Sequence, residues 1–132
     1  MTAYKWNFIV IDDNKLDCFI AGKIIPNTGL SETVATFSDA RQALEFVINN
    51  TQPNQQNNII IVDIQMPLMN GFEFVEAFEI LPQELQKQFV IFMLTSSINE
   101  NDLNRVKNYS SVKHLLNKPL TSDKLSYLIG QL

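Results

Sequence analysis

The chain has one cysteine, Cys18, and one histidine, His114, among its 132 residues. A lone cysteine excludes an internal disulfide and fits a reducing compartment. On its helix it reads as a small packing or surface residue rather than a redox switch. The lone histidine has no spacing to support a metal or phospho-accepting role and reads as a partly exposed strand residue. Positive charge is also scarce, with 10 Lys and Arg against 14 Asp and Glu and a net charge of −4. The phosphate backbone of a nucleic acid would be repelled, so direct nucleic-acid binding is not expected. No apolar run approaches the about 20 residues of a membrane span, so no membrane insertion is expected. The stretch 1–7 lacks the apolar core of a signal peptide. These absences point to a soluble cytoplasmic protein. The hydrophobic fraction of 45% suits one core, expected as a single domain over residues 1–132.

What is present is an alternation of two periods. Apolar strands are expected at Phe8–Asp12, Thr33–Phe37, Asn58–Asp63, Phe89–Leu94 and Val112–Leu116. Between them run amphipathic helices. The first carries Leu16, Phe19, Ile20 and Ile24 on one face and is stopped by Pro26 and Gly29. The second follows a Ser38 N-cap and carries Ala40, Ala43, Leu44, Val47 and Ile48. The third, after a loop through Gly71, carries Phe74, Val75 and Phe78, with Pro82 just beyond. The fourth opens on the capping-box pattern Ser97-Ile98-Asn99-Glu100 and carries Leu103 and Val106. The last buries Leu125, Leu128, Ile129 and Leu132. The amide-rich segment 49–58 reads as a solvated loop. Five strands alternating with five helices imply an α/β fold, a doubly wound parallel sheet covered on both faces.

The strand exits carry the chemistry. The first strand ends in Asp12-Asp13 and the third in Asp63. In a flavodoxin-like sandwich of order 2-1-3-4-5 those strands are neighbours, with a crevice between them, so the three acids would meet. Three carboxylates at such range cannot all ionise without compensation: either one stays protonated or a cation binds. An all-oxygen site at a solvent-facing edge suits Mg²⁺. The fourth strand ends at Thr95-Ser96-Ser97 and the fifth at Asn117-Lys118-Pro119, at the same edge. Acids, a hydroxyl and an ammonium suit phosphoryl transfer to a carboxylate, with Asp63 as nucleophile and Thr95 and Lys118 holding the remaining oxygens.

These residues resemble the receiver domain of bacterial two-component response regulators, in particular stand-alone, chemotaxis-regulator-like members. The landmarks are Asp12-Asp13, the segment Asp63-Ile64-Gln65-Met66-Pro67-Leu68-Met69-Asn70-Gly71, Thr95-Ser96 and Lys118-Pro119. The resemblance implies that Asp63 is the phospho-acceptor, charged from a sensor histidine kinase or a histidine phosphotransfer protein. It implies that Asp13, Asp63 and the backbone carbonyl of Gln65 bind Mg²⁺ directly, with Asp12 acting mostly through water. Thr95 would move toward the phosphoryl group, Lys118 would bind one of its oxygens, and the Lys118–Pro119 bond would be cis. Gln65 and Ser97 would flank the hydrolytic water and tune the lifetime of the phosphorylated state, and the small Ser96 would leave room for a kinase domain. Such a protein is no enzyme beyond its own phosphorylation and dephosphorylation. With no separate output domain expected, it would signal by binding a downstream protein or passing the phosphoryl group on, as a monomer or a phosphorylation-dependent dimer.

One departure is Leu115, where the family usually has Tyr or Phe three residues before the lysine. A ring that swings inward in the family is replaced by a side chain that can only repack. Three other functions compete. A haloacid-dehalogenase-type phosphatase would carry Asp-x-Asp after its first strand, where this chain has adjacent acids. A flavodoxin-like electron carrier would need a phosphate-cradling loop where Asp12-Asp13-Asn14 stands. A receiver that no longer takes phosphate would serve as a binding module, a reading Leu115 keeps open.

Overall fold

Hydrophobic residues on both faces of each inner strand require cover on both sides, and the fold supplies it. The structure is a computed structural model and describes residues 5–49 and 57–132. Its strands are β1 (Trp6–Ile11), β2 (Ser31–Phe37), β3 (Asn58–Asp63), β4 (Phe89–Thr95) and β5 (Val112–Asn117). They form one parallel sheet in the order β2-β1-β3-β4-β5. This is the order expected above. The central β3 is buried along its whole length.

The helices are α1 (Lys15–Asn27), α2 (Ala40–Asn49), α3 (Gly71–Phe78), α4 (Gln83–Gln86), α5 (Glu100–Val106) and α6 (Ser122–Gly130). Side chains alternate across the sheet. Ile9, Ile11, Ile60, Val62, Ile91 and Met93 point to the layer of α2 and α3, where Val106 of α5 also packs. Phe8, Val10, Ile59, Ile61, Phe92 and Leu94 point to the layer of α1 and α6. Across the outer side of the first layer, Arg105 lies over the Phe72 ring at 4.1 Å, and Tyr109 donates to Glu76, tying α3 to α5.

Several local expectations are corrected. There are six helices among the described residues, not five. The extra one, α4, is a single turn after Pro82, too short to show a period. Of the expected α1 stripe, Ile24 is half-buried against the core, but Leu16 and Phe19 are 64% and 63% exposed and Ile20 is exposed too, and the buried residues are Ala21 and Ile25. Apolar side chains occur around most of this helix, so periodicity cannot choose the stripe. The small Ala21 lets the backbone approach the sheet. α1 also runs through Pro26 to Asn27, because a proline near a helix end loses only one hydrogen bond.

The caps differ as well. Asp39, not Ser38, accepts the Arg41 N–H at 2.9 Å at the start of α2. Asn99, not Ser97, caps α5 through the Asp102 N–H at 2.8 Å. Ile48, Leu103 and Leu132 are exposed rather than packed. Most of the amide-rich segment, residues 50–56, lies outside the described residues. No helix among the described residues is long and apolar enough to cross a membrane.

Candidate functional site

All strands run the same way, so every strand exit lies at one edge of the sheet. β1 pairs Ile11 with Val62 of β3, which sets Asp12 beside Asp63. β3 pairs Asp63 with Leu94, and β4 pairs Thr95 with Asn117. Thr95 and Lys118 therefore follow one step on. The Lys118 N–H donates to the Thr95 carbonyl at 2.8 Å, and the Lys118–Pro119 peptide bond is cis, as expected.

Local backbone chemistry fixes the acids. The Asp12 carboxylate, buried, accepts the Asn14 N–H at 3.0 Å. Asn14 caps α1 by accepting the N–H groups of Leu16 and Asp17 at 2.9 and 3.1 Å. Asp63 is 5% exposed and accepts the Gln65 N–H at 3.3 Å. Behind it the chain folds back tightly: the Gly71 N–H donates to the Ile64 carbonyl at 2.9 Å. A Cβ at Gly71 would lie 2.5 Å from the Asp63 carbonyl oxygen and 2.9 Å from the Ile64 Cα. Only glycine fits there, which gives the last residue of the motif a packing reason.

The ammonium of Lys118 sits among the acids. Its Nζ lies 2.9 Å from Asp12, 3.2 Å from Asp63 and 2.8 Å from Asp17. Burial works to lower the Lys118 pKa, but the bonds to Asp17 and Asp12 and the charges of Asp12 and Asp63 outweigh it, and the net shift is upward. Burial pushes the Asp63 carboxyl up, Asp12 adds to that, and Lys118 opposes both. Burial and the Asp12 charge likewise raise the Cys18 thiol, whose Sγ–H donates to the Asp12 carbonyl at 3.2 Å. That thiol is a packed donor, in line with its bland reading.

One carboxylate oxygen each from Asp12, Asp13 and Asp63 lies within 4.8 Å of the others, close enough to share one metal ion. Asp13 faces solvent while Asp12 and Asp63 are buried. This donor set of hard oxygens, open to water on one side, fits a small divalent ion that keeps part of its hydration shell.

Thr95 is buried at the end of β4. Its hydroxyl donates to the Ser97 carbonyl and accepts the Ser97 N–H, both at 3.3 Å, so it is held by its own loop rather than by the acids. Gln65, Ser96 and Ser97 are exposed around the mouth. Leu115 is half-buried against the α2–α3 layer, and the half-buried His114 ring lies 5.6 Å from that of Phe92.

Sequence reasoning brought together every acid at the strand exits and the lysine, and missed Asp17. The available signal was helical spacing: Asp17 lies four residues before Ala21 and eight before Ile25, on the stripe that α1 turns to the sheet.

The model of the response regulator receiver domain family matches residues 8–129, and the chain belongs to that family. It is therefore a receiver domain of two-component response regulators. A response regulator receiver protein from Dyadobacter fermentans is 29% identical, with a TM-score of 0.86 and 96% of each chain covered. A chemotaxis response regulator of Vibrio cholerae is 25% identical, with a TM-score of 0.77 over 96% of this chain and 98% of that one. A two-component response regulator from Cytophaga hutchinsonii shares the fold at a TM-score of 0.88 and 24% identity, over 98% and 97% of the two chains. The phosphatase and flavodoxin alternatives fall with this assignment.

Proposed function

We propose that Asp63 accepts a phosphoryl group and that the phosphorylated chain signals by altered binding to another protein. The observation that carries this reading is the set of three carboxylates within 4.8 Å of one another, with an ammonium 2.9 and 3.2 Å from two of them. An Asp63 oxygen attacks phosphorus, the bond from phosphorus to the donor breaks, and its electron pair leaves on the donor. Lys118 steadies the negative charge on the equatorial oxygens of the phosphoryl group in transfer by charge-assisted hydrogen bonds. The Thr95 hydroxyl reaches them once it leaves its loop. Asp12, Asp13, Asp63 and the Gln65 carbonyl would hold Mg²⁺, which when bound offsets the negative charge of acids and donor alike.

The donor is a phosphohistidine of a sensor kinase or of a histidine phosphotransfer protein. The chain performs no chemistry beyond its own phosphorylation and dephosphorylation, as one domain working in the cytoplasm, as a monomer or as a dimer formed on phosphorylation. Gln65 and Ser97, exposed at the mouth, set the lifetime of the acyl phosphate. Incubation with acetyl phosphate and Mg²⁺, followed by intact mass, should add one phosphoryl group to the wild type and none to Asp63→Asn. Labelling that persists in the variant would refute the assignment of Asp63.

A further inference from the structure

The carboxylate that comes nearest to Lys118 belongs to none of the strand exits. Asp17 stands in the first turn of α1, three residues after the cap Asn14, and its Oδ2 is 2.8 Å from the ammonium. An acid in that position normally reaches back to the N–H of its cap residue. Here the Asn14 N–H is already taken by Asp12 at 3.0 Å. Asp17 is left to turn inward, along the stripe that continues into the buried Ala21 and Ile25. Its side chain is about one third exposed, at 34%, so water reaches it from the outside.

An ammonium has three hydrogens to donate. Asp12, Asp63 and Asp17 accept all of them, and none is spare for an incoming oxygen. Asp17 is also outside the trio that can share a metal ion. A divalent ion together with Lys118 would balance Asp12, Asp13 and Asp63. Asp17 then leaves the pocket with one negative charge over, at the place where an anionic donor must enter.

We propose that Asp17 is a positioning residue that holds Lys118 away from the incoming phosphoryl oxygens and restrains uptake from small phosphodonors. This rests on the reading of Asp63 as acceptor. In the reaction with acetyl phosphate, the Asp63 oxygen bonds to phosphorus, the bond from phosphorus to the acetyl oxygen breaks, and acetate leaves with the electron pair. For Lys118 to meet the phosphoryl oxygens before Asp63 has given up its charge, it must release one carboxylate, and Asp17, the most exposed of the three, is the one that can turn outward into water.

The test is the initial rate of labelling by subsaturating acetyl phosphate with Mg²⁺, for the wild type and for Asp17→Asn, Asp17→Glu and Asp63→Asn, at low and high salt. Asp17→Asn should label about three- to fivefold faster at low salt, in keeping with a partly exposed ion pair. The gap should narrow in about 0.5 M salt without vanishing, because a partly buried pair is screened less than a surface one, and a gain that does not respond to salt overturns the charge argument. Asp17→Glu, which keeps the charge, should not reproduce the gain. If Asp17→Asn melts below the assay temperature, Asp17→Ser carries the same comparison. A rate for the neutral variant at or below that of the wild type, with Asp63→Asn blank, overturns the role of Asp17 and leaves Asp63 standing. An unlabelled wild type, or a labelled Asp63→Asn, overturns both.

Discussion

Two helices of this protein begin with the same local signal and end with different chemistry. α1 opens with Asn14-Lys15-Leu16-Asp17 and α3 with Asn70-Gly71-Phe72-Glu73. In α3 the signal is used locally. Asn70 accepts the Glu73 N–H at 2.9 Å and Glu73 accepts the Asn70 N–H at 3.0 Å, closing a capping box. In α1 the asparagine still caps, but its own N–H goes to Asp12 and the acid goes to Lys118, 101 positions away. A cap motif thus predicts that a helix starts and leaves open whether its acid serves the helix or something else. What decides is whether a neighbouring strand exit has already claimed the N–H of the cap residue.

The largest effect is expected at the start of α3. Gly71→Ala would drive a Cβ into the Asp63 carbonyl oxygen and the Ile64 Cα, both backbone atoms that cannot swing aside. It should cost about 3 kcal/mol in chemical denaturation. The α1 counterpart of Gly71 is Lys15, an exposed residue where alanine should leave stability nearly unchanged. A smaller effect compares the caps. Asn70→Ala should cost about 1 kcal/mol, with labelling by acetyl phosphate unchanged. Asn14→Ala should cost a similar amount and also alter the labelling rate, because the first turn of α1 carries Asp17. Equal labelling in the two variants would erase the distinction between a helix start that is local and one that belongs to the site.

The smallest effect is one of pH, at the strand exit that lies between the two helix starts. Burial and the Asp12 charge hold the Asp63 carboxyl above its ordinary value, so its ionised form costs the folded state. That cost is absent below the unfolded carboxylate pKa and grows as pH rises through the folded value. In Mg²⁺-free buffer, Asp63→Asn should therefore melt about 2–4 °C higher than the wild type at pH 7. The advantage should vanish in acid, below the usual carboxylate range. A variant that gains equally at pH 3 and pH 7 would show that ionisation is not the source.

Much of the site was legible because strand exits are legible. A run such as Ile59–Val62 cannot carry a charge inside the sheet, so the acid after it marks where the strand meets solvent. A parallel sheet then collects every exit at one edge, and Asp12, Asp63, Thr95 and Lys118 followed from that rule. Helix faces were less legible. In α1 apolar residues surround most of the axis, and Ala21 and Ile25 prevail over Leu16 and Phe19 by fit to the sheet rather than by hydrophobicity. Asp17 was hidden for the same reason, since its direction depends on which stripe docks. The single turn of α4 was hidden by its length. In each case the missing information is tertiary: a side chain's partner lies in a distant part of the chain.

One residue of the acceptor loop sits against its own preference. Leu68, between β3 and α3, is held at a φ of 69° with 77% of its surface exposed. A left-handed leucine is disfavoured by its Cβ and recovers little by packing when water surrounds it. Asparagine or glycine would sit there more easily. Leu68 therefore stores a small backbone strain in the loop that joins Asp63 to α3, and Leu68→Asn should relieve it.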